Sequence, residues 1–261
     1  MSKINQTATH KRYLERYCPL IIDFVESIRN TDYNKVPQPF LPLFGQGYEK
    51  AETRIAFVGI ETRGWGNMTD FVNAVDEHPE EALLDEFTEF DKLEFCDWGN
   101  NFGNTFWDFN FKFLAQYYSL ENWKQLKWGD NEEILRSFAW GNTNSIEGFS
   151  VTAEKKGVKH ENWLAVKQAS KRFDKGKYIL ETLQPHIMVV MSWHTPEDWL
   201  CDGIDDFLKD EIDDYFWYYF IANSETHVLW TAHPTWLSKN VDFDEHINTM
   251  VNFAKSKLKA I

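Results

Sequence analysis

Three segments of the sequence place a polar side chain just after a predicted strand. Glu61 comes two residues after Gly59, Asn142 follows an apolar run, and His233 follows the last such run. A carboxylate can act as a general base or stabilise a cation, and an imidazole can donate a hydrogen bond to a developing negative charge. An amide both donates and accepts hydrogen bonds, which suits the edge of a pyrimidine. Each residue alone is also a common loop residue, so their meaning depends on the fold.

The apolar pattern predicts strands that alternate with helices. The predicted strands cover residues 53–59, 134–140, 186–191, 215–222 and 226–231, and the predicted helices cover 11–30, 104–118, 162–183, 196–208 and 243–258. This alternation is typical of a three-layer α/β/α domain with a mainly parallel central sheet. Ligands bind such sheets at the carboxyl ends of the strands, which is where Glu61, Asn142 and His233 fall.

Length and composition predict one domain over residues 1–261, with an N-terminal helix and an acidic insert at about 68–97. The apolar runs are too short for a membrane span, and no signal-peptide core precedes the first helix, so a cytoplasmic protein is expected. Three scattered cysteines and eight histidines without metal-ligand spacing predict no metal site. Neither a Walker loop nor a dinucleotide fingerprint is present, so no cofactor is expected.

Charge is unevenly distributed along a chain whose formal net charge is −14. Residues 68–97 carry eleven acids and one base, and residues 197–214 carry nine acids and one base. Residues 151–178 reverse the sign, with eight bases and three acids. The basic segment is either a solvated helix face or a local stripe that attracts phosphates on an otherwise acidic protein.

The segments around the three polar residues resemble the uracil-DNA glycosylase superfamily. The sequences GIETR, WGNTN and HPTWLS occur here at strand ends in the family's order: a glycine-led loop, a base-reading asparagine, and a final histidine–proline loop. Residues 96–114 also resemble the family stretch whose phenylalanine stacks on the base. The similarity spans roughly residues 55–239. The first loop departs from the family pattern because it lacks the proline.

The resemblance implies a DNA glycosylase that hydrolyses the N-glycosidic bond of uracil or a related deaminated base, with DNA as the partner. It implies that Glu61 handles the attacking water and that His233 stabilises the departing base. The implied substrate-binding residues are Gly59, Ile60, Phe102 (with Phe106 as second choice), Asn142 (with Asn144 as second choice) and Leu237, the last as a wedge that enters the duplex.

Two other interpretations remain open from the sequence. The acidic charge and the unusual first loop favour a protein of the same fold without DNA glycosylase activity, which would bind a nucleobase, a nucleoside or a protein partner. Twelve tryptophans and many carboxylates are also typical of carbohydrate-processing proteins, although adjacent candidates such as Asp213 and Asp214 would point to opposite faces of a strand. His194, after the third strand, is a further candidate for the site.

Overall fold

The fold was analysed in a computed structural model, which describes residues 6–62, 64–93, 95–96, 105–149, 154, 157–204 and 206–259. Its strands are β1 (Leu43–Phe44), β2 (Ile55–Gly59), β3 (Phe138–Asn142), β4 (Ile187–Ser192), β5 (Phe207–Asp213), β6 (Phe216–Ile221) and β7 (Thr226–Ala232). Its helices are α1 (Ala8–Ile28), α2 (Met68–Glu77), α3 (Pro79–Asp85), α4 (Phe87–Asp91), α5 (Thr105–Tyr117), α6 (Lys124–Lys127), α7 (Glu132–Leu135), α8 (His160–Ser170), α9 (Gly176–Leu183), α10 (Glu197–Leu200), α11 (Pro234–Asn240) and α12 (Phe243–Leu258).

The seven strands form one mixed sheet in the order β1-β3-β2-β4-β7-β6-β5. The pairs β3–β2, β2–β4 and β4–β7 are parallel, whereas β1 and the β5–β6 hairpin add antiparallel edges. The α/β class expected from the sequence is therefore confirmed, with parallel pairing at the centre of the sheet and antiparallel pairing at its two sides.

Helices cover both faces of the central strands. On one face, Phe57 of β2 packs against Phe113 of α5 with ring centroids 5.6 Å apart. On the other face, a Cβ added to Gly141 of β3 would lie 3.1 Å from the side chain of Ile179 in α9. Every residue of β2, β3 and β4 is buried, as expected for parallel strands enclosed on both sides.

The acidic segment belongs to the core of the domain. Helices α2, α3 and α4 bury Met68, Phe71, Leu83 and Phe87 within the main hydrophobic cluster and leave most of their acids outside. Glu86 accepts a hydrogen bond from the indole nitrogen of Trp65 at 2.8 Å, so this segment also holds the loop that follows β2.

Three predicted elements differ from the observed ones. The helix predicted at 196–208 is observed only as α10, and residues 207 and 208 begin strand β5. The predicted strand at 134–140 begins as helix α7, and β3 starts only at Phe138, so Asn142 is the last residue of the strand. The predicted helix at 162–183 is divided into α8 and α9. The intervening turn places Asp174 where its carboxylate accepts a hydrogen bond from the backbone of Ser145 at 2.9 Å.

Candidate functional site

The carboxyl ends of the four parallel strands β3, β2, β4 and β7 lie along the same side of the sheet, called here the carboxyl edge. Along the chain, β3 is added on one side of β2 and β4 on the other, so the direction of strand addition reverses between β2 and β4. In open α/β sheets, ligands bind at such a reversal, outside the carboxyl ends of the strands. The loops that start at Ile60, Trp193 and His233 lie around this point.

The loop after β2 begins at a glycine that two side chains approach closely. A Cβ on Gly59 would lie 2.9 Å from the side-chain amide of Asn142 and 3.0 Å from the ring of Phe106. The carbonyl groups of Gly59 and Ile60 accept hydrogen bonds from the backbone of Thr143 and Asn144, each at 2.9 Å. The first loop and the end of β3 are therefore held together as one unit, with the half-buried Ile60 inside it.

Glu61 is a partly exposed carboxylate in a fixed position. Its Oε2 accepts a hydrogen bond from the backbone N–H of Gly148 at 2.9 Å. The ammonium group of Lys167 in α8 lies 3.9 Å from the same oxygen, and 35% of the Glu61 side chain is exposed. A second bond, from the N–H of Gly64 to Glu147 at 2.8 Å, joins the same two loops. Glu61 can therefore face a ligand as an oriented anion.

Asn142 contributes its amide to the first loop. With the amide assigned in the orientation that pairs both of its ends, its oxygen accepts from the N–H of Thr62 at 3.1 Å and its nitrogen donates to the carbonyl of Gly141 at 2.9 Å. The side chain is buried. The residue predicted to read a base edge thus also shapes the loop that carries Glu61, and a base would have to share or exchange these bonds.

His233 lies at the start of α11 with its ring oriented on two sides. Its Nδ1 accepts a hydrogen bond from the backbone N–H of Thr235 at 3.2 Å and caps the helix. The ring stacks on Trp193 with centroids 4.5 Å apart and planes 14° apart. Because Nδ1 accepts, the neutral ring carries its proton on Nε2, which makes Nε2 a hydrogen-bond donor.

A continuous chain of contacts connects His233 to the first loop. Thr235, two residues after His233, shares a hydrogen bond of 2.7 Å with Thr105 at the start of α5. Phe106 follows Thr105 and lies against Gly59. The ends of β2 and β7 are separated by β4 alone, which corresponds to about 10 Å, or two strand spacings. The structure therefore brings Glu61, Asn142 and His233 to one edge of the sheet.

One of the sequence-predicted residues lies apart from this group. Leu237, predicted to form a wedge that enters the duplex, is fully buried in the core on the inner face of α11. Phe102, predicted to stack on a base, lies outside the described residues. Its second choice, Phe106, is half-buried beside Gly59.

Sequence reasoning missed Trp193 and Lys167 as members of the site. Trp193 follows β4 directly and is 55% exposed while it stacks on His233. A large aromatic residue beside the candidate His194, just after a buried strand, was the available signal. Lys167 was visible only as one of many bases in the segment 151–178, because its pairing with Glu61 depends on the tertiary fold.

Asp174 is a largely buried carboxylate that holds the loop after β3 through the backbone of Ser145. It accepts hydrogen bonds from the N–H of Ser145 at 2.9 Å and from the hydroxyl of Ser170 at 3.1 Å. Burial raises the pKa of Asp174 from 3.8 to about 6, although these hydrogen bonds and the nearby charge of Lys167 oppose the shift. The ionised form of Asp174 is therefore disfavoured in the folded protein.

Asp174→Asn is expected to change the pH dependence of stability. The folded protein binds this proton more tightly than the unfolded chain, so the contribution of Asp174 is full below pH 4 and is lost as the pH rises through 6. Asparagine does not titrate. The free energy of unfolding of the variant minus that of the wild type should therefore increase by about 2–3 kcal/mol between pH 4 and pH 7. Urea unfolding at both pH values measures this difference.

Asp76→Asn provides a control of opposite sign. Arg29 donates to Asp76 at 2.6 Å and lowers the pKa of that carboxyl, so the stability that it contributes is lost as the pH falls. Because this titration lies below pH 4, the difference between this variant and the wild type should change little between pH 4 and pH 7 and should increase only as the pH falls further. Parallel behaviour of the two variants would contradict the assignment of Asp174.

Within the described part of the chain, neither a metal-binding cluster nor a membrane-spanning helix is found. There, no group of three or more His, Cys, Asp or Glu side chains is arranged to hold a metal ion. Within the same residues, no helix has both the length and the apolar character needed to cross a bilayer.

Comparison with known proteins identified no relative: no family model, no curated protein and no solved structure matches this chain.

Proposed function

We propose that this edge of the sheet is the active site of a DNA glycosylase with a uracil-DNA glycosylase-like fold. It hydrolyses the N-glycosidic bond of uracil or a related deaminated base. The observation that carries the proposal is the contact chain that joins the Glu61 loop, Asn142 and His233 at the point where strand order reverses. The ends of β2 and β7 lie two strand spacings apart, about 10 Å, with the end of β4 between them, so the three side chains are within reach of one nucleoside bound over the strand ends.

Glu61 supplies the negative charge that the reaction requires on the sugar side. As the C1′–N bond breaks, the sugar becomes oxocarbenium-like and the base leaves with the bonding electron pair. The carboxylate stabilises this cation and takes a proton from the water whose oxygen bonds to C1′. The hydrogen bond from Gly148 and the nearby ammonium group of Lys167 hold the Glu61 side chain in one orientation, which is what this role needs.

His233 acts on the base side of the same bond. The N–H at Nε2 donates to the carbonyl oxygen of the departing base, where negative charge develops. The bond from Thr235 and the stack on Trp193 fix the ring before the substrate arrives, so little reorganisation is needed during the reaction. Phe102 or Phe106 stacks on the base, and the amide of Asn142 reads its edge.

A second candidate function is favoured by the burial of Leu237 and the net charge of −14. In this candidate the same edge binds a nucleobase or nucleoside, or a protein partner, without DNA glycosylase activity. The acidic surface would repel a duplex, and no wedge is presented by Leu237.

The proposal is tested by incubating the wild-type protein with uracil-containing oligonucleotides, single-stranded and duplex, at low salt. Free uracil is then measured by chromatography, and abasic sites are detected by alkaline cleavage. Release from uracil-containing strands, and none from thymine-containing strands of the same sequence, is expected. A folded protein that releases nothing but binds deoxyuridine would support the second candidate in its place.

A further inference from the structure

One face of α8 carries positive charge toward the Glu61 loop. His160, Leu164, Lys167 and Lys171 occur at intervals of four, three and four residues and so lie along one side of the helix. Lys167 lies 3.9 Å from Glu61, which places this face beside the proposed active site. We call Lys167 and Lys171, together with the exposed Lys159 just before the helix, the α8 basic face.

Other bases of the segment are directed elsewhere. Lys175 forms an ion pair with Asp202, and the ammonium of Lys177 lies over the ring of Tyr178. Lys159 and Lys171 are both exposed to solvent. Among the described bases of this segment, the exposed ones are therefore Lys159 and Lys171, and with Lys167 they form a strip of charge that leads to Glu61.

Trp193 offers a stacking surface on the other side of Glu61. It follows β4, the strand between β2 and β7, so it lies between the Glu61 loop and His233. His233 covers one face of the indole, yet the residue is 55% exposed. Exposed aromatic rings beside a basic strip are the elements with which proteins bind unpaired strands, because every base has a face that stacks.

Two further features disfavour a duplex at this site. Leu237 is fully buried and so does not enter the base stack. Acids dominate the segment around the β5–β6 hairpin, where residues 197–214 carry nine acids and one base. A duplex presents phosphates on two strands, and the α8 basic face can neutralise those of only one.

We infer that the proposed glycosylase acts on single-stranded DNA. The backbone lies along the α8 basic face, the target base enters between Glu61 and His233, and a neighbouring base stacks on Trp193. This inference rests on the proposed function. It deepens that function by naming the form of the substrate. Flipping a base out of a duplex costs free energy, which an inserted wedge residue helps to offset, whereas a base in a single strand is already unpaired.

Binding is tested without turnover by fluorescence anisotropy with labelled dT12, which contains no uracil. The same strand annealed to dA12 and a U12 RNA strand provide the comparisons, each at two salt concentrations. We expect dT12 to bind at least about tenfold more tightly than the duplex. Equal or tighter binding of the duplex overturns the inference, and tighter binding of the RNA overturns the assignment to DNA.

Matched variants test each contact. Trp193→Ala should weaken dT12 binding about tenfold, whereas Trp128→Ala, at a tryptophan that is 63% exposed elsewhere, should leave it unchanged. Lys171→Glu should weaken binding and flatten its salt dependence, whereas Lys11→Glu, on exposed α1 surface, should do neither. Equal effects within either pair overturn the inference. Thermal unfolding of each variant confirms that it folds.

The two proposals fail separately. Tight binding of dT12 without uracil release would support the single-strand site and overturn the glycosylase. Uracil release at equal rates from single-stranded and duplex oligonucleotides, with the same rates in Trp193→Ala, would support the glycosylase and overturn the single-strand site.

Discussion

Replacing His233 by alanine is expected to lower the single-turnover rate of uracil release by about 100- to 1,000-fold. The loss follows from removing one oriented donor to the developing anion, for which about 2.7–4 kcal/mol of transition-state stabilisation is typical. The effect should appear in the rate of the chemical step and only weakly in substrate binding, because charge on the base oxygen develops in the transition state. Rapid-quench measurement with excess protein gives this rate directly.

The capping role of His233 must be separated from the chemical one. Loss of the bond from the N–H of Thr235 costs about 1 kcal/mol of stability on its own. His233→Asn retains a good capping side chain but removes the ring, so it should restore stability without restoring the rate. His78→Ala, at an exposed histidine between α2 and α3, should leave both unchanged. A His233→Ala protein with the wild-type rate would contradict the assigned role.

Replacing Glu61 by glutamine is expected to lower the same rate by about 100-fold or more, at the lower end of what general acid–base catalysis contributes. Glutamine retains an oxygen that can accept from Gly148, so the loop should keep its conformation. The variant loses the negative charge that stabilises the sugar cation and can no longer take a proton from water. Single-turnover rates and thermal unfolding of the two proteins separate these effects.

Glu133→Gln is the matched control for this substitution. Glu133 lies on the exposed surface of α7, away from the carboxyl ends of the strands, so its variant should release uracil at the wild-type rate. Wild-type activity in Glu61→Gln would remove Glu61 from the mechanism. Equal losses in both variants would point to a general effect of charge and not to a site.

Much of the fold could be predicted from local patterns. The strands that became β2, β4 and β7 are short apolar runs bounded by turn residues, and α12 was expected over the range that it occupies. Strands buried on both faces appear as short continuous apolar runs, and amphipathic helices show a period of about 3.6 residues, so both kinds of element can be predicted without tertiary information. Because ligands of such sheets bind at the carboxyl ends of the strands, the predicted strands alone are enough to predict that Glu61, Asn142 and His233 lie along one side of the sheet.

The errors have identifiable causes. The sequence does not predict strand β5 because almost all of its residues are exposed to solvent, so no apolar run marks it. Ile134 and Leu135, before β3, are apolar enough to predict a strand, but they form the end of the single helical turn α7. An unbroken helix was expected over α8 and α9 because apolar spacing continues across the turn at Asp174.

Side-chain roles at the site were less predictable than positions. The bond from Thr62 to Asn142 depends on the register between β2 and β3, where Gly59 lies opposite Asn142. Leu237 belongs to the buried side of α11, which a short loop motif does not reveal. The stack of Trp193 on His233 joins two strands that are distant in sequence.

The central claim is that the carboxyl edge of the sheet binds a nucleobase, and titration with deoxyuridine followed by heteronuclear NMR tests it most directly. The account predicts saturable shifts of the amides of Gly59 and Glu61, of the His233 ring and of the Trp193 indole. Absence of shifts at millimolar ligand, or shifts confined to the surface depression beside Thr7 and Glu49, would contradict it.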